Sequence, residues 1–527
     1  MAPLPASRSV RRVAPIAAGM AVFLAGLLGP GIAAESQTVP EGVAEIRGLL
    51  QTGDAARAAA LAGELVRKYP DSPAAYEALG RALDQQGRYD GAEAAYRRAI
   101  QLAPSSASPR VSLGVSYARR GMPGAASTEF QQALAKEPEN LTALLNLGGL
   151  ELSAGRFTKA EEYYTRAHRL AASNPVPSLG LATAAFGAGH KDLALQTAQG
   201  LAALEDPQVH FSLGVLFAKN ALYPQAEREF RKAAGTGPPS AGLPLNLGMV
   251  LSAQQKYAAA KEQYFQAIEL NPADSSPYVR VGADYLAQNK SNLALAWLFR
   301  AAALDHNAPD TLFLLGRALL AEEYFQTAHE YLSKYAESRP SDPKGWLLLG
   351  DAYLNDERVE EALNAYRKAL AIVPRVAAAH YLVGNAEYLQ KHIPEARKEL
   401  LAALQLDPSH PEAQLRLGEI EYRANDDVAA AARFRAILVA HPADSEAAYD
   451  LAKVCVRRDQ YPEARDLLMK AVAQNPDDIR FHYLLSQVYR RLQDEQRSSR
   501  EAAEYARLKA EQDYQHRYIR HSHLYVE

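Results

Sequence analysis

From Val39 onward, apolar residues recur at helical spacing in segments of about 12 to 14 residues, enough for three or four helical turns. The segments come in pairs. Inside a pair the break carries Gly87, Gly121 or Gly155 early in the chain and Asn289, Asn425 or Asp459 later. Glycine and asparagine can take the left-handed conformation that ends a helix. Between pairs stands a proline, as at Pro70, Pro104, Pro138, Pro272, Pro374 and Pro476. Proline stops the second helix and lets the next pair begin. The pattern predicts an all-α chain of helical hairpins.

One register runs through the hairpins. Leu-Gly recurs at Gly80, Gly114, Gly148, Gly214, Gly248, Gly316, Gly350 and Gly418, and Val-Gly takes the same place at Gly282 and Gly384. The spacing is 34 residues or a multiple of it, apart from one two-residue deletion near Leu204 to Pro207. Ile46, Ala182, Ala452 and Ser486 fill the anchor position without glycine, which gives fourteen units from about Val39 to Gln512. Gly180 resembles an anchor but is out of register. Twelve residues after each anchor stands alanine, from Ala58, Ala92 and Ala126 through Ala430 and Ala464; only the last unit departs, with Ser498. Sixteen after the anchor stands a ring or a leucine, for example Tyr96, Phe130, Tyr164, Phe230, Tyr264, Tyr366 and Phe434. Backbones approach closely only where side chains are small, so anchor and alanine read as packing positions. The residue at +16 is expected to fill the space between neighbouring pairs.

This register resembles the tetratricopeptide repeat family, whose helix pairs of about 34 residues stack into a superhelix. The family's tryptophan position, four before the anchor, holds Trp346 once and otherwise Tyr76, Tyr278, His380 or His482. The resemblance implies an α-solenoid, a right-handed superhelix of about fourteen units over residues 35–512, with first helices lining a concave groove that holds extended peptides or helices. The family's carboxylate clamp needs lysine three before an anchor and asparagine one after. Asn385 follows Gly384, but Tyr381 stands where the lysine belongs, so that clamp is not supported.

The N-terminus has another character. Arg8, Arg11 and Arg12 precede an apolar stretch from Val13 to Leu28, and Ile32-Ala33-Ala34 offers small residues before Glu35. That order is that of a secretory signal peptide over residues 1–34. The alternative is an uncleaved anchor, but Pro15 and Pro30 leave a short core against the roughly 20 residues needed to span. Export to the periplasm or beyond the cell is the expectation, and removing the three arginines takes the net charge from −3 to −6.

Composition narrows the function further. The 48% apolar and 23% charged residues are ordinary for a folded chain and exclude disorder. The net charge of −3 leaves no basic surplus for nucleic acid. The single cysteine, Cys455, excludes a disulfide scaffold and a thiolate metal site, and its register makes it a buried core thiol. No phosphate-binding, nucleophile-elbow or zinc-protease motif is present, and no room remains for a catalytic domain, so a non-enzyme without cofactor is expected. His516, His521 and His523 lie in a tail assigned to residues 513–527 and read as solvated rather than metal-binding.

Groove positions are projected at three before and one, four and five after each anchor. In units three to nine they are largely apolar, as at Val111, Leu145, Phe211, Val279 and Phe313. In units eleven to fourteen they turn to tyrosine and charge: Tyr381, Asn385, Tyr388, Glu419, Tyr422, Tyr449, Lys453, Tyr483 and Arg490. Tyrosine gives large contact area with little entropy to lose, so Tyr381, Asn385, Tyr388, Tyr422, Tyr449, Lys453, Tyr483 and Arg490 are the candidate partner-binding residues. The alternative for each is packing against the adjacent second helix. The functional expectation is a scaffold for protein or peptide segments in envelope or secreted complexes. An accessory subunit of polysaccharide synthesis or export is the rival, because aromatic rings would serve either ligand.

Overall fold

The computed structural model describes residues 41–235 and 241–522, with side chains described to Asp513. The expected signal segment lies outside the described residues, as does the chemistry of His516, His521 and His523. The described residues form twenty-eight helices and no strand, taken in pairs from Glu41–Gln51 and Ala55–Lys68 to Ile479–Arg491 and Glu495–Ser522. They divide into two compact units, one ending at Pro272 and one starting at Ala273, of seven helix pairs each. The last helix continues to Ser522, so the segment expected as a tail from residue 513 is helical over most of its length.

Packing follows the register. All thirteen alanines at +12, from Ala58 to Ala464, have no exposed surface. In the last unit Ser498 donates from Oγ to the Ser486 carbonyl at 2.9 Å, so its hydroxyl is satisfied in a place built for a methyl group. Anchor glycines face the ring or leucine at +16 of their own hairpin. A Cβ on Gly80 would lie 2.6 Å from Tyr96 Cε1, and one on Gly350 would lie 2.4 Å from Tyr366 Cε1. The +16 residue therefore sits first inside its own pair. Tyr164 also reaches the next pair, where a Cβ on Gly180 would meet its ring at 2.2 Å. That contact explains a glycine two residues out of register. In two hairpins with a larger anchor the +16 residue is small, Ala62 for Ile46 and Ala198 for Ala182, all buried, whereas Ala452 keeps Leu468.

The break inside each hairpin is a single left-handed residue seven after the anchor. Five are glycines, Gly53 to Gly189, and nine carry a Cβ: Ala221, Gln255, Asn289, Glu323, Glu357, Lys391, Asn425, Asp459 and Gln493. Between hairpins, in four units the side chain four before the anchor, from Trp346, His380, Gln414 or His482, reaches back to the preceding turn. Trp346 Nε1 donates to the Pro340 carbonyl at 3.1 Å and Gln414 Nε2 to the Pro408 carbonyl at 3.0 Å. His482 Nε2 lies 2.8 Å from the Pro476 carbonyl, and its Nδ1 lies 2.6 Å from Glu501. Within each compact unit, most successive first helices approach one another more closely than any two second helices do. The first helices therefore line the inner side of the stack.

Candidate functional site

The candidate residues lie on the first helices of units eleven to fourteen, Ala377–Leu389, Pro411–Arg423, Ser445–Arg457 and Ile479–Arg491. Each helix ends with one residue in left-handed backbone, so the same offsets return to the same face in every unit. The arrangement is a staircase in which rings on one first helix are covered by cations from the next. The Tyr388 ring lies 4.7 Å from the Arg416 guanidinium and 5.5 Å from that of Arg423. The Tyr422 ring lies 3.7 Å from the Arg457 guanidinium and 5.0 Å from Lys453 Nζ. Tyr449 meets Lys453 at 5.3 Å, Arg480 at 5.2 Å and the Phe481 ring at 5.2 Å. Such a contact contributes about 0.5–1 kcal/mol when exposed and more when dry.

The eight candidates are not equivalent. Tyr388 is only 8% exposed and packs with Leu400, Ala403 and Leu417, so it belongs to the core and not to the open face. Its hydroxyl and the Asn385 Oδ1 are buried without a hydrogen-bond partner. Tyr381 is half-buried with its ring 5.1 Å from His410. Burial pushes its phenol up, while the neighbouring Arg416 pulls it down. Tyr422 and Tyr449 are half-buried under their cations. Tyr483 is 50% exposed, and its ring lies tilted against Tyr505 at 5.3 Å. Arg490 is exposed.

The charges are layered in the same way. Lys453 donates to Asp450 Oδ1 at 2.7 Å. Burial pushes the Asp450 carboxyl above its usual range and Lys453 offsets part of that. For Lys453 itself burial favours the neutral amine, and Asp450 outweighs it to hold the ammonium above its ordinary value. Arg416 donates to Glu419 at 2.6 Å. Arg457 ties three groups of the preceding hairpin together: the Tyr422 carbonyl at 2.8 Å, Asn425 Oδ1 at 3.1 Å and the Asp427 carboxylate. Cys455, beneath this face, is 1% exposed and burial pushes its thiol up to about 11, which makes it a poor nucleophile. Of the groove positions of the earlier units, Val111, Leu145 and Val279 are buried, while Val115, Leu152, Phe211, Phe313 and Leu320 are half-buried like Tyr422 and Tyr449, and the Phe211 ring lies tilted against Phe230 at 5.6 Å.

Arg416 and Arg480 stand outside the projected offsets, whereas Arg423, Arg457 and Arg491 stand five after their anchors and recur every 34 residues, yet were not among the candidates. Their common offset was the available signal. Among the described residues no group of three or more histidine, cysteine or acidic side chains is arranged to hold a metal, and no helix is long and apolar enough to cross a membrane.

Helical hairpins in one register, stacked with first helices inward, define an α-solenoid. The sequence matches the tetratricopeptide repeat over residues 43–107, 111–175, 179–241, 313–377, 347–411 and 390–445, with further matches at 422–488 and 245–274. The chain belongs to the tetratricopeptide repeat family, a scaffold suited to binding protein. Among curated proteins it is similar to the type IV pilus assembly protein PilF of Pseudomonas aeruginosa, at 34% identity over 92 residues, 18% of this chain and 35% of that protein. The match thus spans about a third of that relative's length. Among solved structures it is similar to the APC/C hetero-tetramer Cut9–Hcn1, with 15% identity, 88% of this chain and 92% of that chain covered, and a TM-score of 0.42. It is also similar to YrrB, described as a TPR protein with an unusual peptide-binding site, with 23% identity, 35% and 95% coverage, and a TM-score of 0.33.

Proposed function

We propose that the chain is an exported, non-enzymatic scaffold that holds segments of protein partners on the first-helix face of units eleven to fourteen, in the assembly of an envelope or secreted complex. The staircase of tyrosines and cations carries this reading. It places large rings and charged groups together on the inner side of the stack, where a partner meets several units at once. The similarity of one stretch to a pilus assembly protein supports an envelope setting. The arginine-led apolar start supports export.

Two measurements test the proposal. Intact-mass analysis of protein recovered from its natural compartment should give a mature chain beginning at or near Glu35; retention of Met20 to Leu28 would overturn cleavage. Cross-linking in the native setting should then join a protein partner to the face that carries Tyr483. Partners captured only on the second-helix side would overturn the placement.

A further inference from the structure

The first helices of units twelve to fourteen carry five carboxylates, and every one faces a cation or histidine of this chain. Glu412 lies 3.1 Å from His410, Glu419 pairs with Arg416, Glu421 with Arg433, Glu446 with Arg480 and Asp450 with Lys453. Arg457 is committed to Asp427. Three arginines remain. Arg423, Arg490 and Arg491 are exposed, and none has a carboxylate within ion-pair distance among the described residues. They stand four or five residues after their anchors, on the turn-side half of first helices, and the last of those helices also carries the half-exposed Tyr483.

This surplus is local. The whole chain has 61 acidic residues against 58 lysines and arginines, so acids to neutralise three arginines were not scarce. In units eight and nine the same two offsets hold Leu286 and Ala287, then Leu320 and Ala321. A guanidinium is always charged, and its planar fork matches a carboxylate with two parallel hydrogen bonds. Arginine and tyrosine together are also the side chains most enriched at binding hot spots.

We infer that the inner face of units twelve to fourteen receives an acidic polypeptide segment, whose carboxylates engage Arg423, Arg490 and Arg491 while Tyr483 packs beside it. This inference rests on the scaffold reading above and supplies the chemistry of the partner. Charge complementarity would set the approach rate and the register of the segment, and the tyrosines its contact area.

The test uses the full mature chain and a short fluorescein-labelled peptide of alternating glutamate and glycine, followed by fluorescence anisotropy. The peptide should bind, and added salt should weaken it. The combined variant Arg423→Ala, Arg490→Ala, Arg491→Ala should bind it about tenfold more weakly or worse, a loss of about 1.4 kcal/mol or more. Its melting curve should stay close to the parent's, because the three side chains are exposed and Arg423 gives up only its contact with the Tyr388 ring, which Arg416 still covers. The lysine–glycine counterpart should not bind. No binding of the glutamate peptide, equal binding by the variant, or equal binding of the lysine peptide would overturn the inference. So would arginine-dependent binding of polygalacturonate without binding of the peptide, which would make the ligand an acidic glycan. A photo-cross-linking amino acid in place of Tyr483 or of the outward-facing Val439, 84% exposed, separates the two readings. Capture from position 483 without arginine dependence removes only the acidic partner. Capture from position 439 alone removes the inner-face scaffold as well.

Discussion

Nine residues that carry a Cβ hold left-handed backbone in the hairpin breaks, among them Ala221 at φ 57° and Glu357 at φ 60°. For an L-residue that conformation costs roughly 1–2 kcal/mol. Glycine removes the clash and gives back about 0.5–1 kcal/mol in chain entropy. Ala221→Gly should therefore stabilise the protein by up to about 1 kcal/mol, read as a higher midpoint in urea; a lower midpoint would contradict the assigned conformation. Asn289, Asn425 and Asp459 were legible in the sequence because their type favours this backbone. Glu323, Glu357 and Lys391 were not, since nothing in a glutamate or lysine signals it and only the 34-residue register reveals the position. The anchor offers a second residue-scale test. Gly350→Ala places a Cβ against the Tyr366 ring and should destabilise. In a Tyr366→Ala background the same change should cost little, because the ring that the new Cβ would meet is gone. Chemical denaturation of the four proteins should give a coupling energy of about 1–3 kcal/mol; simple additivity would refute the packing.

At the scale of the element, four of the first helices are fastened to the turn before them by one side-chain donor. The family's tryptophan position looked weakly kept when read by residue type. Read by chemistry it is kept better, because Trp346, His380, Gln414 and His482 all bring a side-chain nitrogen to the carbonyl six residues earlier. Trp346→Phe keeps a ring and loses the donor. It should cost about 0.5–1.5 kcal/mol, measured by thermal melting, and an unchanged protein would show that packing alone fixes the turn. The candidate site was legible to a similar depth. The offsets of Tyr381, Tyr422, Tyr449 and Tyr483 were readable, and all four lie on first helices without being sealed in the core. How far each is covered was not, because Arg416, Arg457 and Lys453 on the next helix decide it. Burial of Tyr388 is a property of two hairpins together.

Across the whole molecule, a stack in which each hairpin contacts chiefly its neighbours has stability that is roughly a sum of unit and interface contributions. Damage should then stay near its source. Tyr388→Ala empties a core place and should cost about 3–5 kcal/mol locally, the range for removal of a large buried ring. Native-state hydrogen exchange should quicken in the helices Ala377–Leu389 and Pro411–Arg423 and leave Pro73–Gln85 and Ser108–Arg119 as they were. Uniform quickening along the chain would mean a single cooperative body instead.

The two-residue deletion lies where the stack can accept it. Second helices of the fully described hairpins run mostly to fourteen residues, but Lys191–Leu201 has eleven, and the chain regains register at Pro207. The turn within that hairpin keeps its single left-handed residue, Gly189. Spelling is thus strict inside each word and loose between words. A peptide tag or a fluorescent protein belongs at residues 202–206, where the next hairpin simply starts later, and never at Gly189, where one added residue would rotate every inward side chain of the hairpin out of the seam.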